Sequence, residues 1–482
     1  MLAQQQKLQL STYSDLYNLI VPKDNLLRKI YELIDFSFIY DELVNKYCTN
    51  NGRNAESPIR MFKYLLLKTI YDVSDVDVVE RSRFDLSFKY FLDMAPEEDV
   101  IDPSSLTKFR KLRLKDTDLL NLLISKTVSI ALEKGIIKSC SIIVDATHTG
   151  SRSNPLSPIE VLKERAKQLR RVVYSADETW TDRMPKKNED NDLELELSYC
   201  SELEKEIESQ ELLCSLPKVK EKLNLLKETI EDIQDHYTLS KDSDARTGHK
   251  TQDSSFFGYK THLAMTEERI ITAAVVTSGE KGDGPELPEL LENNQKNGIQ
   301  VETIIGDTAY AGKENLKIAK DQGIQIVATM NPAIHGFRKK GDTFDYNKDA
   351  GMFVCPAGHM ATRKARHGEK GEGTNQATCY YFDVEKCKTC TFRDGCYKPG
   401  AKFKRYSVAI KSDEHLEQIS FQKTEFFKDK ARHRYKIEAK NSELKNVHGY
   451  DRANSYGIES MQMQGAIAIF TVNIKRILKL SN

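Results

Sequence analysis

Long hydrophobic runs are missing from this sequence of 482 residues. No apolar stretch approaches the roughly 20 residues that a membrane-spanning helix needs, which argues against an integral membrane protein. The polar start MLAQQQKLQL also lacks the apolar core of a signal peptide, so we expect a cytoplasmic protein. Although only 39% of the residues are hydrophobic, 19 Phe and 21 Tyr can anchor buried cores, which excludes a disordered or fibrous chain.

The sequence also lacks an excess of charge of either sign, because 72 Lys and Arg balance 72 Asp and Glu. The charges are distributed unevenly, however. Residues 181–240 hold 16 acidic and 8 basic side chains, whereas residues 401–482 hold 16 basic and 9 acidic ones. This asymmetry is compatible with a polyanion-binding surface near the end of the chain, and a solvated charged face would produce the same pattern.

The nine cysteines are an odd number, and five of them cluster between residues 355 and 396. This usage favours thiols or a metal site in a reducing compartment over a disulfide framework. Four of the clustered cysteines are candidate ligands of a structural, tetrahedral zinc ion, namely Cys355, Cys387, Cys390 and Cys396. His359 and Cys379 are alternative ligands, and simple free thiols are the other interpretation.

The first part of the chain, residues 25–115, has helical periodicity, and Ser74 is a candidate N-cap of one of its helices. Its last helix follows Pro103 and carries Lys108 and Lys111 among several basic residues. A series of short helices that ends in a basic one resembles a helix-turn-helix DNA reader. An ordinary helical bundle with a basic exposed face explains these residues equally well.

The middle of the chain alternates strands and helices. The apolar run 141–144 predicts a strand that ends near Asp145, FFGYKTHLAMT and IITAAVVTSG predict an antiparallel pair, and VETII predicts a strand that leads to Asp307. Between the strand that leads to Asp145 and the antiparallel pair, residues 157–234 predict a long helical hairpin. Residues 420–450 predict one long polar helix, which ends at Gly449. The pattern indicates an α/β fold with a mixed sheet.

Two carboxylates at the ends of neighbouring strands would repel each other, and a divalent cation such as Mg²⁺ relieves that repulsion. Asp145 and Asp307 are such a pair, although each alone could be only a turn former or helix cap. A third acid, Glu438, shares one face of the polar helix with three neighbours at helical spacing: Arg434, Asn441 and Lys445. An acid flanked by cations is typical of a metal ligand among phosphate-binding groups, or of a solvated face.

In this order the strand with Asp145, the antiparallel strands, the strand with Asp307 and the helix with Glu438 resemble the DDE transposases of bacterial insertion sequences. The fragments DPSSLTKFRKLR, DSDARTGHK, FFGYKTH and IIGDTAYAG resemble the same family, and the nearest group is the one named for insertion sequence eleven-eighty-two. The family's third-acid motif places Tyr, Arg, Glu and Lys at fixed spacing. Arg434, Glu438 and Lys445 match it, whereas Ala431 stands in the Tyr position.

The resemblance implies an RNase H-like mixed sheet in which Asp145, Asp307 and Glu438 hold two Mg²⁺ ions, with Mn²⁺ as a substitute. It implies cleavage at the terminal inverted repeats of a mobile element and strand transfer into target DNA. The expected DNA contacts come from five cations: Arg434, Lys445, Lys108, Lys111 and Lys260. His148 and His262 could approach DNA, although packing is the simpler role. The partner is double-stranded DNA of the bacterial nucleoid, and we expect a homodimer and no membrane.

Two alternative functions remain open: a metal-dependent nuclease on the same fold without strand transfer, and a non-catalytic, transposase-derived DNA-binding protein. The expected organisation is an N-terminal tail, a helical DNA-binding domain, a catalytic core in pieces, a helical insertion and a Cys-bearing insertion. The tail covers residues 1–24 and the helical DNA-binding domain covers 25–120. The catalytic core consists of 136–150, 245–335 and the C-terminal helices in 401–482. The helical insertion covers 151–244, and the Cys-bearing insertion covers 336–400.

Overall fold

A computed structural model describes residues 11–48, 55–153, 157–188, 190, 192–234, 242–251, 254–331, 343–367, 376–410 and 412–481. Residues 1–10 of the expected N-terminal tail lie outside the described residues, as do residues 336–342 and 368–375 of the expected Cys-bearing insertion. Within the described ranges, no helix combines the length and the apolar character that crossing a membrane requires.

The N-terminal region is helical, as predicted. Pro58 opens the longest of its first helices, where its missing N–H costs no hydrogen bond. Ser74 begins the next one with a capping box that it forms with Asp77. The basic stretch after Pro103 is a short α-helix followed by a π-helical turn over Arg110–Leu114. The α-helices of this region are α1 (Leu16–Ile20), α2 (Leu26–Leu33), α3 (Ser37–Leu43), α4 (Pro58–Tyr71), α5 (Asp75–Phe84), α6 (Leu86–Phe91), α7 (Ser104–Phe109) and α8 (Leu119–Glu133).

A mixed sheet forms the centre of the fold, which confirms the predicted sheet type. Its strands are β1 (Ser141–Gly150), β2 (Arg246–Thr251), β3 (Ser254–Thr266), β4 (Ile271–Ser278), β5 (Thr303–Ile305) and β6 (Gln325–Val327). The order is β2-β3-β1-β5-β6, and β4 also pairs with β3. Strands β1, β3 and β4 are antiparallel neighbours, as predicted for β3 and β4, while β5 and β6 run parallel to β1.

Strand β1 is longer than the sequence predicted. Beyond the apolar run, the strand continues as an antiparallel partner of β3 as far as the pair Gly150 and Gly258. Asp145 is therefore the fifth of ten strand residues rather than near the end. The parallel partner β5, in contrast, ends at Ile305. Asp145 therefore lies just beyond the point where the parallel pairing stops, and the apolar pattern alone could not reveal that the opposite edge keeps β1 extended.

The segment between β1 and β2 contains α9 (Pro158–Ala176), α10 (Leu193–Glu208), α11 (Glu211–Cys214) and α12 (Pro217–Gln234). The segment is helical, as predicted, but three of these helices are long, whereas a hairpin would contain two. The third long helix arises because Asp192 caps the start of α10. The three pack around a hydrophobic core of their own, which includes Leu169, Leu203 and Leu226.

After β4 come α13 (Leu287–Lys296) and α14 (Lys313–Asp321), which flank β5. The Cys-bearing segment then contributes β7 (Asp345–Asn347), β8 (Met352–Val354), β9 (Arg363–His367), β10 (Ala377–Phe382), α15 (Val384–Lys388) and β11 (Lys404–Ala409). Strands β7 and β8 form one hairpin, and β9, β10 and β11 form a three-stranded sheet. A small aromatic cluster, which includes Phe344, Phe353 and Phe382, holds this segment together.

The C-terminal part consists of α16 (Asp413–Phe421), α17 (Glu425–Ala431), α18 (Tyr435–His448) and α19 (Ile458–Ser481). The prediction of one continuous helix over 420–450 is therefore wrong. Thr424 accepts a hydrogen bond from the amide of Phe427 and begins α17 as a separate helix, and a 3₁₀ turn over Arg432–Arg434 separates α17 from α18. Gly449, with φ of 61°, ends α18 as predicted.

Helix α19 joins the N-terminal helices to the sheet. It packs against α4, α8 and β4. The amide of Asn473 donates to Thr127 Oγ1 at 3.0 Å and to the carbonyl of Ile271 at 2.7 Å, and its oxygen accepts from the Ile271 N–H at 2.9 Å. One hydrophobic core thus continues from the N-terminal helices through the sheet to α18 and α19.

Candidate active site

Asp145 and Asp307 lie side by side at the edge where β1 and β5 separate. Ile143 pairs with Ile305 in the parallel register, two residues before Asp145 and Asp307, and the negative charge of Asp307 acts on the Asp145 carboxyl group. The two chains remain in contact there, because a Cβ built on Gly306 would lie 3.0 Å from Val144 Cγ2. Asp307 also begins the turn that follows, since its Oδ1 accepts from the amide of Ala309 at 2.9 Å.

Helix α18 lies against β1 and brings the third predicted acid to the same edge. The Arg434 guanidinium is 3.8 Å from Asp145 Oδ1 and 3.6 Å from Glu438 Oε1. One side chain thus spans the two carboxylates, although they lie 293 positions apart in the chain. Glu438 remains 58% exposed, against 16% for Asp145.

Two further residues of the predicted helix face also point toward β1. Asn441 Nδ2 donates to Asp145 Oδ2 at 2.9 Å. One turn later, Lys445 Nζ lies 3.3 Å from the ring nitrogens of His148, whose ring packs at 4.9 Å on Phe256. The 3.6-residue periodicity therefore identified side chains that converge on one strand. Asn441 contacts an acid directly, which the sequence pattern did not distinguish.

Burial raises the pKa of Asp145 to about 6; Arg434 opposes this shift, and the negative charges of Asp307 and Asp283 add to it. The site therefore concentrates negative charge that its own cations only partly balance. In the described ranges, no three His, Cys, Asp or Glu side chains are already arranged around one metal position. The acids share one edge of the sheet, with Arg434 as the counter-charge.

Asp283, in the loop after β4, is an acid that sequence reasoning missed. Its Oδ1 lies 2.9 Å from Lys260 Nζ and 3.7 Å from His262 Nδ1. Lys260, a predicted DNA contact, is therefore engaged in an internal ion pair. Burial lowers the pKa of His262 to about 4, and its Nε2 lies 3.0 Å from Thr277 Oγ1, which is the packing role that we expected.

The two predicted lysines of the N-terminal region lie far from the acids in the chain. Lys108 is on α7 and Lys111 is in the π-helical turn, and both are exposed. Two arginines of the same basic stretch are structural ties instead: Arg110 pairs with Asp75, and Arg113 stacks on Tyr47 at 4.4 Å. In this stretch the two arginines face the protein, and the two lysines face solvent.

The four predicted zinc ligands line one cavity, together with His359. Burial raises the pKa of the Cys387 thiol, and neighbouring Cys396, Cys355 and Cys390 add to the shift. The amide of Phe392 lies 3.4 Å from Cys390 Sγ, a donor placed to stabilise a thiolate. The alternative ligand Cys379 is instead buried in β10, where its Sγ lies 3.1 Å from Ser407 Oγ. All nine cysteines lie in the described ranges, and none of them forms a disulfide there.

Two family models match the chain. The one described as Transposase domain (DUF772) covers residues 15–112, which include the helices with Lys108 and Lys111. The one described as Transposase DDE domain covers residues 354–478, which include Glu438 and the cysteine cavity. No curated protein matches the chain.

Both matches are to transposase domains, and they cover two separate parts of the chain. In particular, this chain carries a Transposase domain (DUF772) and a Transposase DDE domain. The expected resemblance to DDE transposases is thereby confirmed at the level of the domains. Asp145 and Asp307 lie outside both matched ranges.

Proposed function

We propose that the chain is a DNA transposase that binds the terminal inverted repeats of a bacterial mobile element and catalyses strand cleavage and strand transfer. Asp145, Asp307 and Glu438 are the catalytic acids. The proposal extends to the group named for insertion sequence eleven-eighty-two, to an RNase H-like core, with 151–244 and 336–400 as insertions into it, and to a homodimer on nucleoid DNA.

The observation that carries the proposal is the convergence of three distant chain segments on one sheet edge. Asp145 accepts a hydrogen bond from Asn441 and contacts Arg434, while Arg434 also contacts Glu438. The register of β1 and β5 adds Asp307 to the same edge. Only folding can bring these residues together, and carboxylates flanked by cations are suited to a metal-bound phosphodiester.

The donor chemistry of the edge fits divalent metal. Mg²⁺ and Mn²⁺ prefer carboxylate oxygens, and the raised pKa of Asp145 marks a buried charge that a cation would stabilise. Asp145, Asp307 and Glu438 would hold the ions, which when bound supply a nucleophile and stabilise the leaving oxygen. Arg434 and Lys445 bind the phosphates on either side, and Asn441 fixes the orientation of the Asp145 carboxylate.

End recognition is assigned to the N-terminal helices. Lys108 and Lys111 are exposed on the part of the chain that matches the Transposase domain (DUF772). Lysines that face solvent on adjacent helical turns can contact successive backbone phosphates, which supplies affinity without base specificity. Lys260 is better assigned to its ion pair with Asp283 than to DNA.

A structural zinc ion is proposed for the Cys-bearing segment. Two short turns supply the candidate ligands: in one, the amide of Gly358 bonds to the carbonyl of Cys355 at 2.8 Å, and in the other the amide of Cys390 approaches the carbonyl of Cys387 at 3.4 Å. Paired turns that converge on one cavity are typical of structural zinc sites. The ion would stabilise a segment with little hydrophobic core.

Strand transfer separates this proposal from the alternative of a nuclease. Purified protein would be incubated with a labelled duplex that carries the element's terminal repeat, a supercoiled target plasmid and Mg²⁺. We expect labelled ends covalently joined to the plasmid. Cleaved ends without joined products, under conditions that preserve the 3′-hydroxyl, would favour the nuclease, and binding without cleavage would favour a non-catalytic protein.

A further inference from the structure

The loop that carries Asp283 is fixed against the turn that carries Asp307. Asn315 Nδ2 donates both to the carbonyl of Gly284 at 2.9 Å and to the carbonyl of Tyr310 at 3.3 Å. A Cβ built on Gly284 would lie 2.5 Å from the carbonyl oxygen of Ala309, so only glycine permits this approach. Asp283 is therefore held at the site by backbone packing as well as by its ion pair with Lys260.

The Tyr310 ring packs against Gly306, the residue before Asp307, and is fully buried. Its hydroxyl has no hydrogen-bond partner among the described residues. Burial raises the pKa of this hydroxyl well above its usual range, and the negative charges of Asp283, Asp145 and Asp307 add to the shift, while Arg434 opposes it. The charges that act on the hydroxyl are thus those of the candidate active site, beside which the contact of the ring with Gly306 also places it.

The Tyr310 ring packs so closely against the backbone of Gly306 that this position has room for glycine only. A Cβ built on Gly306 would lie 2.8 Å from Tyr310 Cδ2. This contact confines the ring, whose hydroxyl lies inside the protein. A buried hydroxyl without an acceptor costs free energy, whereas the same hydroxyl stabilises a bound oxygen ligand that needs a donor.

The charge balance indicates which ligand the acids accommodate. Arg434 forms ion pairs with Asp145 and Glu438, and Lys260 forms one with Asp283, so each ion-paired cation faces at least one acid and Arg434 faces two. This excess of negative charge favours the binding of divalent cations. A hydrated cation such as Mg²⁺ also carries waters that accept or donate hydrogen bonds in its outer shell.

We infer that Asp283 and Tyr310 are positioning residues for a divalent cation held by Asp145 and Asp307. Asp283 adds negative charge beside the ion, and Tyr310 donates its hydroxyl to an oxygen of the ion's water shell. This inference rests on the proposed function, because it takes the acid edge to be a cation site.

Calorimetric titration of the DNA-free, full-length chain with MnCl₂ tests the inference without a measurement of activity. Asp283→Asn should raise the Mn²⁺ dissociation constant about tenfold, as loss of an outer-shell partner does. Glu280→Gln is the matched control: it removes one negative charge from the same loop, at an exposed residue bonded to Ser278, and should leave the constant unchanged.

Tyr310→Phe separates positioning from a purely structural role. Without metal, the variant should melt at or above the wild-type temperature, because it loses a hydroxyl that has no partner among the described residues. With Mn²⁺, its dissociation constant should rise several-fold and its thermal stabilisation by the ion should shrink.

The outcomes distinguish this inference from the proposed function. Unchanged Mn²⁺ affinity in both Asp283→Asn and Tyr310→Phe, with binding lost in Asp145→Asn, would overturn the inference alone. Unchanged Mn²⁺ affinity in Asp145→Asn would instead contradict the cation site itself and overturn both.

Discussion

Replacing Asp145 by Asn should stabilise the metal-free protein while it removes a catalytic acid. The change from an ordinary pKa of 3.8 to about 6 corresponds to roughly 2 units, or about 3 kcal/mol of unfavourable free energy for the ionised carboxylate in the folded state. Asn keeps the shape of the side chain and an oxygen that can accept from Asn441, but it carries no charge. We therefore expect a gain of up to about 3 kcal/mol in the free energy of unfolding at pH 8.

The pH dependence of stability shows whether the ionised Asp145 carboxylate stabilises or destabilises the folded protein. Because the folded-state pKa is raised, the wild-type penalty is fully present above about pH 6 and disappears as the pH falls toward 3.8, where both states bind the proton. Denaturant unfolding in EDTA at pH 8 and pH 5 would measure the difference between Asp145→Asn and wild type, which should be larger at pH 8. The exposed Asp321→Asn variant on α14 controls for the loss of one negative charge. A destabilised Asp145→Asn variant at pH 8 would refute the reasoning.

Three further changes test separate parts of the molecule. Replacing Cys387 by Ser should release about one zinc per chain, as elemental analysis would measure, and should make the Cys-bearing segment sensitive to protease. Changing Lys108 and Lys111 to Ala should weaken DNA binding and reduce the slope of its salt dependence by about 2, measured by fluorescence anisotropy. Gly306→Ala should cost about 1–3 kcal/mol in chemical unfolding, because the new methyl group would meet the Tyr310 ring at 2.8 Å.

Each of these changes has a matched control. Cys48→Ser replaces an exposed cysteine outside the cavity and should keep the zinc. Lys296→Ala removes an exposed charge from α13 and should leave the salt dependence unchanged. Gly282→Ala adds a methyl group at an exposed position whose nearest atom, Pro285 Cδ, lies at an ordinary contact distance of 3.5 Å, so it should be nearly neutral. Protein without zinc, an unchanged salt slope or a stable Gly306→Ala variant would contradict the respective assignment.

Periodicity and order along the chain predicted much of the fold. The antiparallel pair β3 and β4, the capped helix at Ser74 and the end of α18 at Gly449 follow from local pattern and turn chemistry. The continuation of β1 beyond Val144 could not be predicted, because the long-range pairing with β3 stabilises its polar half. The break before α17 depended on a single threonine cap in a helical pattern.

The candidate site was only partly accessible from the sequence. Helical spacing identified the face of α18 that meets β1. Asn441 and Lys445 are four residues apart, so they lie on the same face of the helix whatever that helix packs against. Asp283 and Tyr310 gave no such signal. Their role depends on how a loop packs against a turn, and that packing follows from two glycines whose neighbours are distant in the chain.

Cleavage and binding measured on the same protein preparations test the central claim most directly. Asp145→Ala, Asp307→Ala and Glu438→Ala would each be compared with wild type on a labelled terminal-repeat duplex in Mg²⁺. We predict that each variant loses strand cleavage by several orders of magnitude while its affinity for the duplex stays within a few-fold, because phosphate contacts supply most of the affinity. Wild-type cleavage by any of the three variants would contradict the assignment of these acids.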